Sequence, residues 1–315
     1  MKFRTQIPLH PAIDKLNYAS KVLLMGSCFS DHIGEKLGHY KFETLSNPFG
    51  VIFHPLAIEK LITRAVNQDV YTINDLLFHN ERWHCFEIHS QWSNADPEEM
   101  LQKLNATLRG LAAFIQSATH IIFTLGTSWI YRHIETDKPV ANCHKIPQSE
   151  FLKEILSVNE IAEILDSVES LIRLVNQQAS IIYTISPVRH LKDGFVENQR
   201  SKAHLISAVH EVVAPRMKKH YFPAYELLMD ELRDYRFYME DMIHPNKTAV
   251  RYIWEQFNKV WIDPKVETVM KEIDAIQSGL AHRPFDADSE AHKQFKESLQ
   301  KRIDQLLEQY PFMKF

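Results

Sequence analysis

The chain has 315 residues, 45% of them hydrophobic, enough for one large domain or two small ones at roughly 100–200 residues per domain. Lys and Arg number 36 against 40 Asp and Glu, a net charge of −4, so the basic excess that dominates binding to DNA or RNA is missing. Eight glycines and 14 prolines exclude collagen-like and low-complexity classes, and no apolar run approaches the roughly 20 residues that span a bilayer.

The stretch Met1–Pro8 carries early charge with no apolar segment behind it, which predicts a cytoplasmic protein without a secretory leader. Three cysteines, Cys28, Cys85 and Cys143, are too few and odd in number for a disulfide framework. No Cys-x-x-Cys pair is present, so no structural zinc ribbon is expected.

In chain order, the apolar run Val22–Met25 predicts a strand that ends in Gly26-Ser27 and leads into a helix with Ile33, Leu37 and Tyr40. The more polar Lys41–Ser46 suits an edge strand and delivers Asn47-Pro48-Phe49-Gly50. Residues 67–96 concentrate His79, Trp83, His84, Cys85, Phe86, His89 and Trp92, read as a hairpin or long loop over a site, or as an edge strand with mixed faces. Asp96-Pro97-Glu98-Glu99 reads as a capped helix start followed by Met100, Leu104, Leu108, Leu111 and Ile115 at helical spacing. A second buried strand is Ile121–Phe123, before Thr124-Leu125-Gly126-Thr127. Ser157 and Glu160 form a capping box ahead of Ile161, Ile164, Leu165, Val168 and Ile172.

A third strand, Ile181–Ile185, precedes Ser186-Pro187-Val188-Arg189-His190, and a fourth apolar run is Tyr221–Glu226. Asn246 caps a helix with Val250, Ile253, Trp254, Phe257 and Trp261, a core stripe. Beyond residue 264 two charged helices follow, the second with Phe295, Leu299, Ile303, Leu306 and Leu307; solvated faces are the default, a partner-docking helix the alternative. Apolar runs without alternation, interleaved with helices, predict a doubly wound, flavodoxin-like α/β fold with a parallel sheet of about five strands. The expected division is an α/β domain over 1–262, with 67–96 inserted near the site, and a C-terminal helical extension over 263–315.

In such a sheet, ligands bind outside the carboxyl ends of the strands. Ser27, between a strand and a helix start, is placed to be a nucleophile, and Asp241-Met242-Ile243-His244 offers a base and its orienting carboxylate three residues apart. The plainer alternative makes Ser27 a helix cap and His244 a satisfied histidine, and spacing alone favours it. Cys28 competes as nucleophile, since a helix N-terminus favours a thiolate. Adjacent side chains point apart, so only one of the two faces His244, and Ser27 is preferred. Cys143, His144 and Lys145 are read as a substrate loop, and Arg189 and His190 as similar candidates, with an ion pair to Asp193 or Glu197 as the alternative for these last two. A metal site built from Cys143, His144, Cys28 and His84 lacks any recurring ligand spacing, so no metal is expected. Arg233 and Arg236 are read as braces for the segment before Asp241.

Taken in order, Gly26-Ser27-Cys28-Phe29-Ser30, Asn47-Pro48-Phe49-Gly50, Thr124-Leu125-Gly126-Thr127, Asn142-Cys143-His144-Lys145, Ser186 to His190 and Asp241 to Pro245 resemble the GSCFA family over roughly residues 20–262. That family is a branch related to the SGNH (GDSL-type) hydrolases. The resemblance implies Ser27 as nucleophile with its own N–H in the oxyanion hole, Gly50 as a second donor, His244 as base and Asp241 as its partner. Two departures stand out. Ser30 replaces the alanine of the family name, and Gly126-Thr127-Ser128-Trp129 lacks the Asn of the superfamily's Gly-x-Asn-Asp, leaving Thr127, Ser128 or Asn47 as the third donor. The implied activity is cofactor-free hydrolysis of an acyl or acetyl oxygen ester on a small molecule or glycan. An O-acyltransferase with the same triad and a non-catalytic binding module are the alternatives. No nucleic-acid or membrane partner is expected.

Overall fold

A computed structural model of the chain describes residues 5–283, 285, 286 and 289–315. The first four residues of the stretch read for a leader lie outside the described residues. Five parallel strands form the central sheet: β1 (Lys21–Gly26), β2 (Glu43–Ser46), β5 (His120–Leu125), β9 (Ser180–Ile185) and β10 (Lys219–Phe222). Their spatial order is β10-β9-β5-β1-β2. The first strand therefore lies inside the sheet with the second at one edge, and the remaining three extend the other way, which is the flavodoxin-like order. Every residue of β5 and β9 is buried, as expected of strands covered on both faces, whereas the four residues of β2 are half-buried at its edge.

Alternate residues of these strands feed two cores. On one face Leu23, Met25, Ile121, Phe123, Ile181 and Tyr183 pack with α2 (Pro55–Asn67), α3 (Pro97–Ser117), α4 (Val158–Val175) and α5 (Phe195–Val212). On the other, Val22, Leu24, Ile122, Ile182 and Phe222 meet α1 (Cys28–His39), α7 (Lys247–Trp261), α8 (Glu267–Ala281) and α9 (Glu290–Gln309). The helix starts follow their local signals. Asp96 accepts the Glu98 and Glu99 N–H groups, Ser157 and Glu160 complete a capping box, and Asn246 accepts from Thr248 and Ala249. The charged faces of α8 and α9 are exposed, but Met270, Ile273, Ile276, Leu299, Ile303 and Leu306 are buried in the second core. Phe295, read as part of that stripe, is 41% exposed.

The fourth apolar run is displaced from its strand. Pro223 lacks an N–H and ends β10, Ala224–Glu226 (α6) turns helical, and the strand instead begins at Lys219, whose ammonium is neutralised by Glu169 at 2.7 Å. Within 67–96 a hairpin forms from β3 (Leu77–His79) and β4 (Arg82–His84), with Asn80 and Glu81 both left-handed in its turn. A second, antiparallel sheet has the order β7-β6-β8, from β6 (Trp129–His133), β7 (Lys138–Val140) and β8 (Phe151–Ile155). Nothing in the sequence reading anticipated it. No described helix is long and apolar enough to cross a membrane.

Candidate active site

Strand register decides which residues share a rim. Gly26 pairs with Thr124, and Thr124 with Thr184, so the carboxyl ends of β1, β5 and β9 finish side by side and present Ser27, Gly126 and Ser186 together. This is also where the strand order reverses, the crevice in which doubly wound sheets bind ligands. Gly26 has φ +138°, and a Cβ there would fall 2.1 Å from the Thr124 carbonyl oxygen, so only glycine makes this turn.

Ser27 caps α1, its Oγ accepting the Phe29 N–H at 3.2 Å. Its hydroxyl donates to Ser186 Oγ at 2.9 Å, and Ser186 Oγ also accepts the Val188 N–H. Ser27 is 1% exposed. Asp241 and His244 form a tight unit: Asp241 Oδ1 accepts the N–H groups of Ile243 (2.8 Å) and His244 (3.0 Å), and Oδ2 meets His244 Nδ1 at 2.7 Å. The His244 N–H, its ring and the Ile243 N–H together hold the Asp241 carboxyl down at about 2, so it is ionised. His244 Nε2 has no hydrogen-bond partner among the described residues, and the side chain is 40% exposed. The segment is fastened to the loop after β9, where the Arg189 N–H donates to the Ile243 carbonyl at 3.2 Å. No hydrogen bond joins Ser27 to His244 among the described residues. The 186–190 loop links them, touching Ser27 through Ser186 and Ile243 through Arg189.

The expected oxyanion donors are engaged elsewhere. The Ser27 N–H donates to the Thr124 carbonyl at 3.0 Å, and the Gly50 N–H to the Asn47 carbonyl at 2.7 Å. Asn47 Nδ2 donates to Asp31 at 2.8 Å while its Oδ1 accepts the Gly26 N–H at 2.9 Å. Thr127 and Ser128 are likewise engaged internally. Both are buried, buried polar groups need partners, and Ser201 of α5 satisfies Thr127 Oγ1 at 2.9 Å and the Ser128 N–H at 2.7 Å. They fasten the start of β6 to α5.

Thr127, Cys143, His144, Lys145 and His190 do line one cavity of about 450 Å³ beside the strand ends, together with Phe53, Trp129, Tyr131 and Lys192. Burial pushes His144 down to about 4, and its Nε2 lies 2.7 Å from the Cys85 carbonyl. Burial, with the nearby Lys202 and His244, lowers His190 to about 3, and its ring stacks on Phe53 at 4.8 Å. Both imidazoles are therefore neutral at pH 7, and each keeps one buried ring nitrogen without a partner among the described residues. The Arg189 guanidinium lies 4.2 Å from the Tyr238 ring centroid. Asp193, one of the two ion-pair partners in the alternative reading of Arg189 and His190, accepts from Tyr131 at 2.9 Å and Lys153 at 2.8 Å. Burial, then Asp31, raises the Cys28 thiol above its ordinary value, which weakens the case for a thiolate nucleophile. Among the described residues no cluster of three His, Cys, Asp or Glu is placed to hold a metal.

Two neighbours of Ser27 carry no sequence signal as such: Ser186, which accepts its hydroxyl, and Lys202, which is 0% exposed and donates to the Ser186 carbonyl at 2.8 Å. The spacing signals only the burial of Lys202. On α5 the buried residues Leu205, Ala208, Val209 and Val212 continue backward at helical spacing as Asn198, Ser201 and Lys202, polar groups on a buried face.

These features define a doubly wound α/β protein with a serine-capped helix at its switch point and an Asp–His pair beside the neighbouring strand-end loop. The chain belongs to the GSCFA family, which residues 21–257 match, and residues 273–315 match the GSCFA domain protein, C-terminal domain. No curated protein matches the chain in sequence. Among solved structures it is similar to a carbohydrate esterase family 3 from Talaromyces cellulolyticus, at TM-score 0.38 and 8% identity over 80% of this chain and 99% of that one. An acetyl esterase mutant crystallised with acetate ion compares at TM-score 0.38 and 9% identity, over 81% of this chain and 99% of that one.

Proposed function

We propose that the protein is a serine hydrolase of the SGNH type that cleaves an acyl or acetyl oxygen ester of a small molecule or glycan. The observation that carries this reading is the Asp241–His244 pair, with its Nε2 unpartnered among the described residues and its segment fastened to the loop that receives the Ser27 hydroxyl. The reaction requires the Ser27 hydroxyl to exchange its Ser186 acceptor for His244 Nε2. Oγ then attacks the ester carbonyl carbon while His244 Nε2 takes the hydroxyl proton, and Asp241 stabilises the imidazolium. Collapse of the tetrahedral intermediate expels the alcohol, which receives that proton. Water attacks the acyl-serine with His244 again as base, releasing the acid and restoring Ser27. Charge on the intermediate needs donors, and the Gly50 N–H and Asn47 Nδ2 serve only once released from the Asn47 carbonyl and Asp31. The cavity lined by His144, Lys145 and His190 and by the aromatic side chains Phe53, Trp129 and Tyr131 suits a hydroxyl-rich alcohol group.

A non-catalytic binding module is the second reading, favoured by the burial of Ser27 and by the internal engagement of both its hydroxyl and its N–H. Treatment with a fluorophosphonate probe, followed by mass mapping, separates the two, alongside p-nitrophenyl acetate turnover. The hydrolase gives an adduct on Ser27 and turnover that both vanish in Ser27→Ala. Absence of adduct and of turnover on an ester panel supports the binding module, and an adduct on Cys28 relocates the nucleophile.

A further inference from the structure

Lys202 is the one fully buried lysine of the described core, and its contacts are unusual for a cation. Nζ donates to two backbone carbonyls, Gly126 at 2.7 Å and Ser186 at 2.8 Å, and lies 5.6 Å from the Tyr225 ring centroid. No carboxylate pairs with it among the described residues. Burying an ammonium without a counter-charge is unfavourable, and an aliphatic side chain would fill the same space at lower cost. The two carbonyls explain what the aliphatic chain would not supply. Gly126 and Ser186 are the first residues beyond β5 and β9, where neighbouring strands stop pairing and buried carbonyl groups are left to find donors.

Each carbonyl belongs to a residue that shapes the site. At Gly126 a Cβ would lie 2.8 Å from His190 Nε2 and 2.9 Å from Phe53 Cβ, so this residue abuts the cavity wall. Ser186 receives the Ser27 hydroxyl. One ammonium thus joins the end of β5, which abuts the cavity residues His190 and Phe53, to the end of β9, whose Ser186 accepts the hydroxyl of the candidate nucleophile at the end of β1.

We propose that Lys202 is a positioning residue for Ser27: by clamping the Gly126 and Ser186 carbonyls it fixes the Ser186 hydroxyl, and it keeps a positive charge behind the point where negative charge develops. This inference rests on the reading of Ser27 as nucleophile. The titratable groups facing Lys202 are Cys28 from α1, His190 from the loop after β9, and Tyr225 from α6. Burial holds all three neutral near pH 7, raising Cys28 and Tyr225 and lowering His190. Burial also lowers Lys202 to about 7, so its charge disappears across mildly alkaline pH.

The test measures the rate of fluorophosphonate labelling at Ser27, and kcat and KM for p-nitrophenyl acetate, from pH 6 to 10 in wild type, Lys202→Met and Lys202→Arg, with circular dichroism and thermal melts as folding checks. Lys202→Met is expected to slow labelling at least about tenfold, lower kcat rather than raise KM, and abolish an alkaline decline present in wild type. Lys202→Arg keeps the charge, recovers part of the rate and moves the decline out of range. A folded Lys202→Met protein labelled at the wild-type rate with an unchanged pH profile overturns the proposal while leaving the nucleophile in place. Should Lys202→Met fail to fold, the wild-type profile decides: an alkaline decline in labelling supports the role, and a flat rate from pH 7 to 10 overturns it. Wild type left unlabelled at Ser27 overturns the hydrolase reading, and this inference with it.

Discussion

Replacing Lys202 by Met changes stability in a way that its burial makes calculable. Burial lowers this lysine from 10.5 to about 7, and at about 1.4 kcal/mol per tenfold this corresponds to roughly 5 kcal/mol wherever the unfolded chain keeps its proton. Because the folded value lies below the unfolded one, the unfolded state binds more protons between about pH 7 and 10, and stability rises with pH across that window. The full penalty applies below pH 7 and is absent above the unfolded value. Methionine removes this dependence but leaves the Gly126 and Ser186 carbonyls without their donor, a pH-independent loss of about 1–3 kcal/mol each. Near neutral pH the two effects are of similar size, so the variant and wild type are of comparable stability there and the slope is the diagnostic. Urea unfolding at pH 6, 7, 8 and 9 is expected to show wild type gaining on the order of 2–3 kcal/mol over Lys202→Met between pH 7 and 9. Contributions from Cys28 and Tyr225 are common to both proteins and largely cancel in the difference. Parallel curves for the two proteins would refute the reasoning, because they would mean that Lys202 is solvated or paired.

Two further outcomes follow from named contacts. Asp241→Asn preserves an acceptor for the Ile243 and His244 N–H groups but presents an amide donor to His244 Nδ1, reversing the tautomer. Ester turnover is expected to fall by roughly 10³–10⁴ in kcat with the thermal midpoint little changed, and unaltered kcat would remove Asp241 from the reaction. Arg64→Met strips the partner from Glu87, bound at 2.7 and 3.1 Å, and from Asp75 at 2.7 Å, at a site where the arginine is only 5% exposed. A loss of about 3–5 kcal/mol is expected in urea unfolding, and a loss below 1 kcal/mol would show the pair to be solvent-screened.

Much of the architecture was legible because its causes are local. The runs at β1, β5 and β9 are continuous and apolar, which only a strand covered on both faces tolerates, and Ser157–Glu160 and Asp96–Glu99 cap helices through contacts three residues long. The Asp241–His244 hydrogen bond is equally short in sequence. The antiparallel sheet of β6, β7 and β8 gave no such signal, since its strands are short and partly exposed, with charged residues such as Lys138, Lys153 and Glu154 among them. Ser186 escaped notice because its role depends on Ser27, 159 residues away, and Lys202 because one of its carbonyls is 76 residues distant.

Sequence alone therefore settled the periodicities, the caps and the parallel α/β arrangement, all of which depend on how a few consecutive residues share a face or a turn. Tertiary structure decided which strand ends stand together, hence that the Ser27 hydroxyl meets Ser186, that the Gly50 and Ser27 N–H groups close on carbonyls, and that Lys202 bridges two strands. The physical reason is that a hydrogen bond is won by the nearest competent partner in space, and sheet register, not chain order, brings those partners together.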